Sequence, residues 1–282
     1  MNTITRVAAT VAVLCALALS GCQGPDAKRK QFVALRYLQS AEAHLFGTPR
    51  HSATATAELD RALELLPDDE GLRQRAAPLY VLAGAYEQAL PLLEDSVDAD
   101  GRYRVMLAQC LLATGQTQRG VKILRGMLEE AGRRRKAQEI SAGEFTLAMN
   151  DAGYVLADAG HELERAEKAI EAAVQLDRLQ PSFIDSLGWV KLRRGEPREA
   201  AFYLEQALRL SPGPDPEMLY HLGVAYTQLG RLKDARRALT RALEMDPDNA
   251  KIEMTRRRLG RTLAPPTVAC GNDHAHKRGR ST

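Results

Sequence analysis

The chain contains 282 residues, of which 45% are hydrophobic and 27% charged, and this composition excludes a wholly disordered protein. Aromatic residues make up only 5%, which suits close-packed helices better than a β-sandwich, and four cysteines are too few for a disulfide scaffold. The formal net charge is +3, from 39 Lys and Arg against 36 Asp and Glu. Basic residues concentrate after residue 250 while the preceding body is mildly acidic, so a nucleic-acid-binding body is not expected.

The N-terminus has the pattern of an export signal. A positive charge at Arg6 precedes the apolar run Val7–Leu19, which is too short to span a bilayer of about 30 Å but has the length of a signal-peptide apolar region. The run ends in Leu-Ser-Gly-Cys at Cys22 and resembles the bacterial lipobox. The resemblance implies a signal peptide over residues 1–21 and acylation of Cys22, for example by palmitate, as the first mature residue.

The residue after the cysteine predicts where such a lipoprotein would reside. Gln23 stands where Asp would favour inner-membrane retention, so the resemblance implies sorting to the periplasmic face of the outer membrane. Residues 22–30 are predicted to form a membrane-proximal tether that reaches no more than about 25 Å at ~3.3 Å per residue. An ordinary secretory signal that yields a soluble periplasmic protein is the alternative.

The body of the chain contains an internal repeat. Three glycines lie 35 residues apart, another glycine follows each of them by seven, and alanines recur at matching offsets beyond. The glycines are Gly153, Gly188 and Gly223, followed by Gly160, Gly195 and Gly230; the last two units close with Pro212 and Pro247. This pattern resembles the tetratricopeptide repeat, a unit of two antiparallel helices.

The resemblance implies an all-α, right-handed superhelical solenoid of helix-turn-helix repeats. Small residues such as Gly188 and Ala200 would let paired helices approach closely, and Gly195 would end a helix in the left-handed conformation. The match is strong over residues 146–249 (three repeats) and weaker over 31–134, where Pro78 and Pro91 are expected to kink or shorten their helices. The remaining predicted parts are a connector over residues 135–145, a capping helix over 250–264 and a disordered basic tail over 265–282.

The first helix of each repeat carries the residues that line the concave groove in this family. In the three well-matched repeats, the corresponding positions hold Asn150, Tyr154, Asp185, Trp189, Tyr220 and Val224. Aromatic and polar side chains are mixed there, as in peptide-binding grooves, but the aromatic rings could equally wedge adjacent helices apart. The lysines of a carboxylate clamp are missing, which disfavours chaperone-tail binding and favours a neutral or basic partner segment.

The sequence offers little catalytic chemistry. The run that begins at His161 lacks the second histidine of a zinc-protease motif, since residue 165 is Arg, and no phosphate loop or dinucleotide fingerprint is present. Cys110 is expected to be a core thiol. Cys270, His274 and His276 in the tail are residue types that bind transition metals, but no metal site is predicted there. We expect no enzyme activity, cofactor, small-molecule substrate or nucleic-acid partner.

The sequence therefore predicts a lipid-anchored periplasmic scaffold that binds protein partners through its groove. Lipoproteins of this build serve pilus and secretin assembly, outer-membrane protein assembly and polysaccharide export, and the sequence does not distinguish among these machines. A soluble periplasmic peptide-binding module is the first alternative, and an enzyme with an unrecognised site is the second.

Overall fold

The computed structural model describes residues 24–95 and 101–263, and this part of the chain consists of thirteen α-helices with no strand. The helices are α1 Pro25–Phe46, α2 Ser52–Leu65, α3 Glu70–Ala83, α4 Tyr86–Glu94, α5 Gly101–Ala113, α6 Thr117–Lys136, α7 Ala142–Ala159, α8 Leu163–Leu176, α9 Pro181–Arg193, α10 Pro197–Leu210, α11 Pro216–Gln228, α12 Leu232–Met245 and α13 Ala250–Leu263. The predicted all-α class is confirmed. Within these residues, no helix combines the length and apolarity that crossing a membrane requires.

The helices pack as six consecutive pairs followed by α13. The two helices of a pair contact each other, and each pair also contacts the next one along the chain. First helices of successive pairs lie side by side, so that α9 touches both α7 and α11. The predicted signal peptide, the lipidation residue Cys22 and the tail residues Cys270, His274 and His276 lie outside the described residues.

Glycine sets the separation of the helices within the well-matched pairs. A Cβ added at Gly188 would stand 2.7 Å from Cγ of Leu204, and one at Gly223 would stand 2.7 Å from Cγ of Leu239. Gly153 is as crowded, because its Cβ would meet Ile170 Cγ1 at 2.9 Å. The predicted role of these glycines in close helix approach is confirmed.

A second set of glycines ends the first helices. Gly160 directly follows α7 and has a φ of +76°, and Gly195, two residues beyond the last residue of α9, has a φ of +83°. The amide of Gly160 donates back to the carbonyl oxygen of Ala157 at 3.0 Å, which satisfies one of the carbonyls left open at the helix end. The left-handed helix ends predicted from the spacing are therefore present.

The segment between the third and fourth pairs is shorter than the predicted connector over residues 135–145. Helix α6 continues to Lys136, and α7 already begins at Ala142, so residues 137–141 join them. The reason is a capping box: Ser141 Oγ accepts from the Glu144 amide at 3.1 Å, while the Ser141 amide donates to Glu144 Oε2 at 2.9 Å. The predicted connector overlooks this helix-start signal.

The N-terminal half differs from the expectations in two further places. Helix α1 begins at Pro25, inside the predicted tether of residues 22–30, because proline is well suited to the first turn of a helix. The prolines of the second pair have unequal effects. Helix α3 runs through Pro78 without a break, whereas α4, which contains Pro91, has only nine residues.

Two cores stabilise the array, one in each half. The N-terminal core includes Cys110, which is fully buried as predicted and whose pKa burial raises to about 12. The C-terminal core extends into α13, where Ile252 and Leu259 are 2% and 3% exposed. The last helix therefore covers the apolar face of α12, as a capping helix must.

The first and the last turns of the array touch each other. The amide of Arg50, in the loop after α1, donates to the carbonyl oxygen of Met245 at the end of α12 at 2.7 Å. Next to it, His51 Nδ1 lies 3.7 Å from a carboxylate oxygen of Asp248. The chain thus returns on itself, so that the loop after α1 contacts the end of α12.

Candidate partner-binding groove

Polar and aromatic side chains meet where α7, α9, α11 and α13 lie side by side. We call this the groove cluster, and it consists of Tyr154, Asp158, Asp185, Trp189, Glu217, Tyr220 and His221. Its inner part is buried and its rim is exposed. The side chain of Glu217 is 57% exposed and that of Asp158 is 33% exposed, whereas His221 is fully buried.

The buried part is built on a carboxylate–imidazole contact. Asp185 Oδ2 lies 2.9 Å from Nδ1 of His221 on the neighbouring helix, and the Trp189 indole stacks on the imidazole with ring centroids 4.1 Å apart. Burial lowers the pKa of His221, but the charge and hydrogen bond of Asp185 outweigh it, so the pKa is raised above its ordinary value. This contact connects α9 to α11 inside the groove.

Hydrogen bonds from Tyr154 and from the Trp189 indole connect the residues of the rim. The hydroxyl of Tyr154 donates to the Glu217 carboxylate, which joins α7 to α11 across α9. Burial, followed by the charge of Glu217, raises the pKa of Tyr154 well above its ordinary value, so its hydroxyl stays a donor. The indole N–H of Trp189 donates to Asp158 Oδ1 at 3.2 Å.

The capping helix places a cation against this rim. Nζ of Lys251 lies 3.2 Å from Asp158 Oδ1, 5.1 Å from the centre of the Tyr220 ring and 5.6 Å from that of Trp189. Burial lowers the pKa of Lys251. The charge and hydrogen bond of Asp158, together with Tyr220 and Glu217, outweigh burial, so the pKa is raised above its ordinary value. A second cation, Arg193, has its guanidinium 5.9 Å from the Trp189 ring.

A small cavity continues the groove toward the N-terminal pairs. Its volume is about 160 Å³, and Tyr86, Gln109, Tyr154, Asp158 and His161 are among the residues that line it. Gln109 donates from Nε2 to the Tyr86 hydroxyl at 3.2 Å, and burial raises the pKa of that hydroxyl. The cavity therefore combines aromatic walls with hydrogen-bonding groups and one carboxylate.

The structure brings four of the six residues predicted for the groove into one cluster: Tyr154, Asp185, Trp189 and Tyr220. The other two lie apart from it. Asn150 is buried and donates to Asp151 Oδ1 at 3.1 Å, and Val224 packs partly buried against the core. The rings that are present both join neighbouring helices and face the groove, so partner binding by these residues stays a prediction.

The repeat offsets missed three members of the groove cluster, Asp158, Glu217 and His221, and also Lys251 beside it. Helical spacing indicates two of these residues, because Asp158 follows Tyr154 by four residues and Glu217 precedes His221 by four, which places each pair on one face of its helix. No local pattern identifies Lys251, which lies 93 residues beyond its partner Asp158. Among the described residues, no group of three or more His, Cys, Asp or Glu side chains is placed to hold a metal ion.

Comparisons with known proteins point to one repeat family. Residues 191–259 match the family model of the tetratricopeptide repeat. A TPR repeat-containing protein of Pseudomonas aeruginosa is 39% identical over 77 residues, which is 27% of this chain and 13% of that protein. The chain therefore spans only a small fraction of this relative's length.

Two solved structures share the fold. A thermophilic TPR protein of Thermus thermophilus superposes with a TM-score of 0.52 at 22% identity, over 67% of this chain and 98% of that one. The APC/C hetero-tetramer Cut9-Hcn1 contains a chain that superposes with a TM-score of 0.51 at 14% identity, over 89% of this chain and 45% of that one. Residues 191–259 thus match the tetratricopeptide repeat model, and the described part of the chain has the fold of a tetratricopeptide-repeat solenoid.

Proposed function

We propose that the protein is a lipid-anchored periplasmic scaffold that binds protein partners through the groove cluster in the assembly of an envelope machine. The observation that carries the binding role is the cluster itself, in which carboxylates and aromatic rings from three repeats converge beside a cavity of about 160 Å³. Aromatic side chains are common at the centres of protein interfaces.

The proposed anchor rests on the sequence pattern that ends at Cys22. Acylation buries several CH₂ groups at about 0.8 kcal/mol each, and two or more chains hold a protein stably at a membrane. Helix α1 begins at Pro25, three residues beyond Cys22, so an anchored array would stand very close to the bilayer. Partners of such a scaffold would be other envelope proteins, with the pilus and secretin, outer-membrane protein and polysaccharide-export machines as the candidates.

The enzyme alternative would have to use the Asp185–His221 contact, since carboxylate–imidazole pairs serve as general bases. Here the imidazole is fully buried beneath Trp189, and a substrate atom would have to come within about 3 Å of it for proton transfer. This geometry favours a structural role for the pair. In the soluble peptide-binding alternative, the groove still binds a partner but Cys22 is not acylated.

The test is recovery of the tagged full-length protein from cross-linked envelopes, with mass spectrometry of the proteins that accompany it. We expect a defined set of envelope components with the wild type, their depletion with Glu217→Ala at the groove rim, and no change with Glu244→Ala on the exposed side of α12. Scattered abundant proteins, alike in all samples, would overturn the scaffold proposal.

The anchor is tested separately by incorporation of labelled palmitate. We expect label in the wild type and none in Cys22→Ala, with loss of the protein from the membrane fraction. Absence of label from both proteins, with both recovered in the soluble fraction, would support the soluble alternative and remove the anchor from the proposal.

A further inference from the structure

The contacts of Lys251 are those of a bound cationic ligand rather than of an ordinary surface ion pair. One ammonium faces a carboxylate oxygen of Asp158 at 3.2 Å and the rings of Tyr220 and Trp189 at 5.1 and 5.6 Å. A carboxylate with two aromatic faces is the usual environment in which proteins hold an ammonium, through charge and through cation–π attraction. Each of the three acceptors belongs to a different repeat, whereas the cation comes from the helix that follows the last repeat.

The acceptors are organised without help from Lys251. Asp158 is oriented by the indole N–H of Trp189 at 3.2 Å, and Trp189 is fixed by its stacking on His221. His221 is in turn held by Asp185. The acceptors would thus keep their positions if the ammonium left, which is the property of a preformed binding site.

The ammonium is also accessible to exchange. The side chain of Lys251 is 48% exposed and that of Asp158 is 33% exposed. The cavity of about 160 Å³ that Tyr86, Gln109 and Tyr154 line reaches the same Asp158 carboxylate from the side of α4 and α5. An incoming side chain therefore has an approach to Asp158 that does not pass through α13.

We propose that the groove cluster binds a lysine side chain of the partner protein, and that Lys251 occupies this site in the free protein until the partner's ammonium displaces it. The inference rests on the proposed partner-binding function and specifies its chemistry. The carboxylates of Asp158 and Glu217 at the rim favour a basic partner segment, since each attracts positive charge. Lys251 then acts as an internal competitor that lowers the apparent affinity of the groove cluster for the partner's lysine side chain.

The first experiment vacates the site and refills it with a small cation. Lys251→Ala removes the internal ammonium, and n-butylammonium is titrated in while the fluorescence of Trp189, the single tryptophan of the chain, is followed. We expect a saturable change with an affinity at least about fivefold higher than in the wild type, and none with n-butanol. Lys233→Ala, which removes an exposed lysine of α12, serves as the control and should behave as the wild type.

The acceptor is tested in the same assay. Adding Asp158→Asn to Lys251→Ala should weaken butylammonium binding at least about tenfold, because the amide keeps the shape and removes the charge. Equal binding with and without the Asp158 carboxylate, or equal affinity in Lys251→Ala and the wild type, would overturn the proposal. Circular dichroism of each variant verifies that the helices are retained.

A second measurement uses Lys251→Met, which keeps the apolar stem and guards against misfolding of the alanine variant. An alternating alanine–lysine peptide of about ten residues should bind this variant at least about fivefold more tightly than the wild type, and the Nε-acetylated peptide should not bind. Equal binding of the two peptides would exclude recognition of the ammonium.

Failure of this inference is distinguishable from failure of the proposed function. One outcome is that envelope partners are lost with Glu217→Ala yet are recovered equally with Asp158→Asn and the wild type. That result would support the scaffold function and overturn the proposed lysine-binding site. If no envelope partner depends on the groove at all, the scaffold itself falls, whatever butylammonium does in the fluorescence assay.

Discussion

Asp185 and His221 form a buried carboxylate–imidazole contact of 2.9 Å that connects two successive repeats beneath the Trp189 indole. The other charged groups that act on the imidazole are Glu217 and Lys251. The net effect raises the pKa of His221 in the folded protein. Protonation of the imidazole therefore stabilises the folded state relative to the unfolded chain.

The stability of the protein should therefore fall as the pH rises past neutrality. The contribution of the pair is complete below the ordinary histidine pKa of about 6.5 and is lost as the pH rises through the raised pKa. In Asp185→Asn, burial of the imidazole dominates, so this dependence should reverse its sign. Urea unfolding midpoints at pH 6 and pH 8 for both proteins measure the effect, and parallel shifts in the two would contradict it.

Gly188→Ala should destabilise the protein by about 1–3 kcal/mol, because the new methyl group would stand 2.7 Å from Leu204 Cγ in a packed core. Gly126→Ala is the matched control, since that helical glycine has no atom near its would-be Cβ, and it should stabilise α6 by about 0.5–1 kcal/mol. Chemical denaturation measures both changes. Two effects of the same sign would be inconsistent with this account of the helix spacing.

Glu167→Gln should cost about 2–3 kcal/mol. The carboxylate is 8% exposed and bridges α8 to α9 through Lys191 Nζ at 2.6 Å and the guanidinium of Arg194, and a buried charge pair is costly to break from one side. Arg237→Gln, which removes an exposed ion pair with Asp234, should change stability by less than about 1 kcal/mol. Thermal unfolding compares the two, and similar losses would mean that the bridge is no stronger than a surface pair.

Cysteines at positions 51 and 248 should cross-link across the contact between the ends of the array. His51 and Asp248 side chains approach to 3.7 Å, so a short bifunctional maleimide spans them easily. The pair of positions 51 and 233 is the control, because Lys233 is exposed and lies at the opposite end of α12 from Met245. Mobility on a denaturing gel reports the product against single-cysteine variants. Equal yields for the two pairs would contradict the closed arrangement.

The periodic features of the sequence predicted the fold because they are local. Gly188 and Gly195 each serve one helix pair, and their spacing alone indicates where helices cross and end. The predicted connector over residues 135–145 is longer than the observed one because the prediction did not use the Ser141–Glu144 capping signal that starts α7. A short-range rule, fully applied, places this boundary correctly.

The site was less accessible to sequence reasoning because it depends on long-range geometry. Offsets within a repeat identified Tyr154, Asp185 and Trp189, which occupy equivalent or helically related positions. The ion pair of Lys251 with Asp158 joins residues separated by more than two repeats, and it depends on how the pairs between α7 and α13 stack on one another. Curvature accumulates from small rotations between pairs, and no single motif encodes it.

The contact of Arg50 with Met245 also affects how the two ends of the array open. Repeat proteins normally contact only their sequence neighbours, so their ends fray independently. Here a single amide–carbonyl hydrogen bond, worth about 1 kcal/mol, and a weak side-chain contact hold the two ends together. A contact of that strength opens readily at room temperature, so the first and the last pairs are expected to separate and rejoin while the helices themselves stay folded.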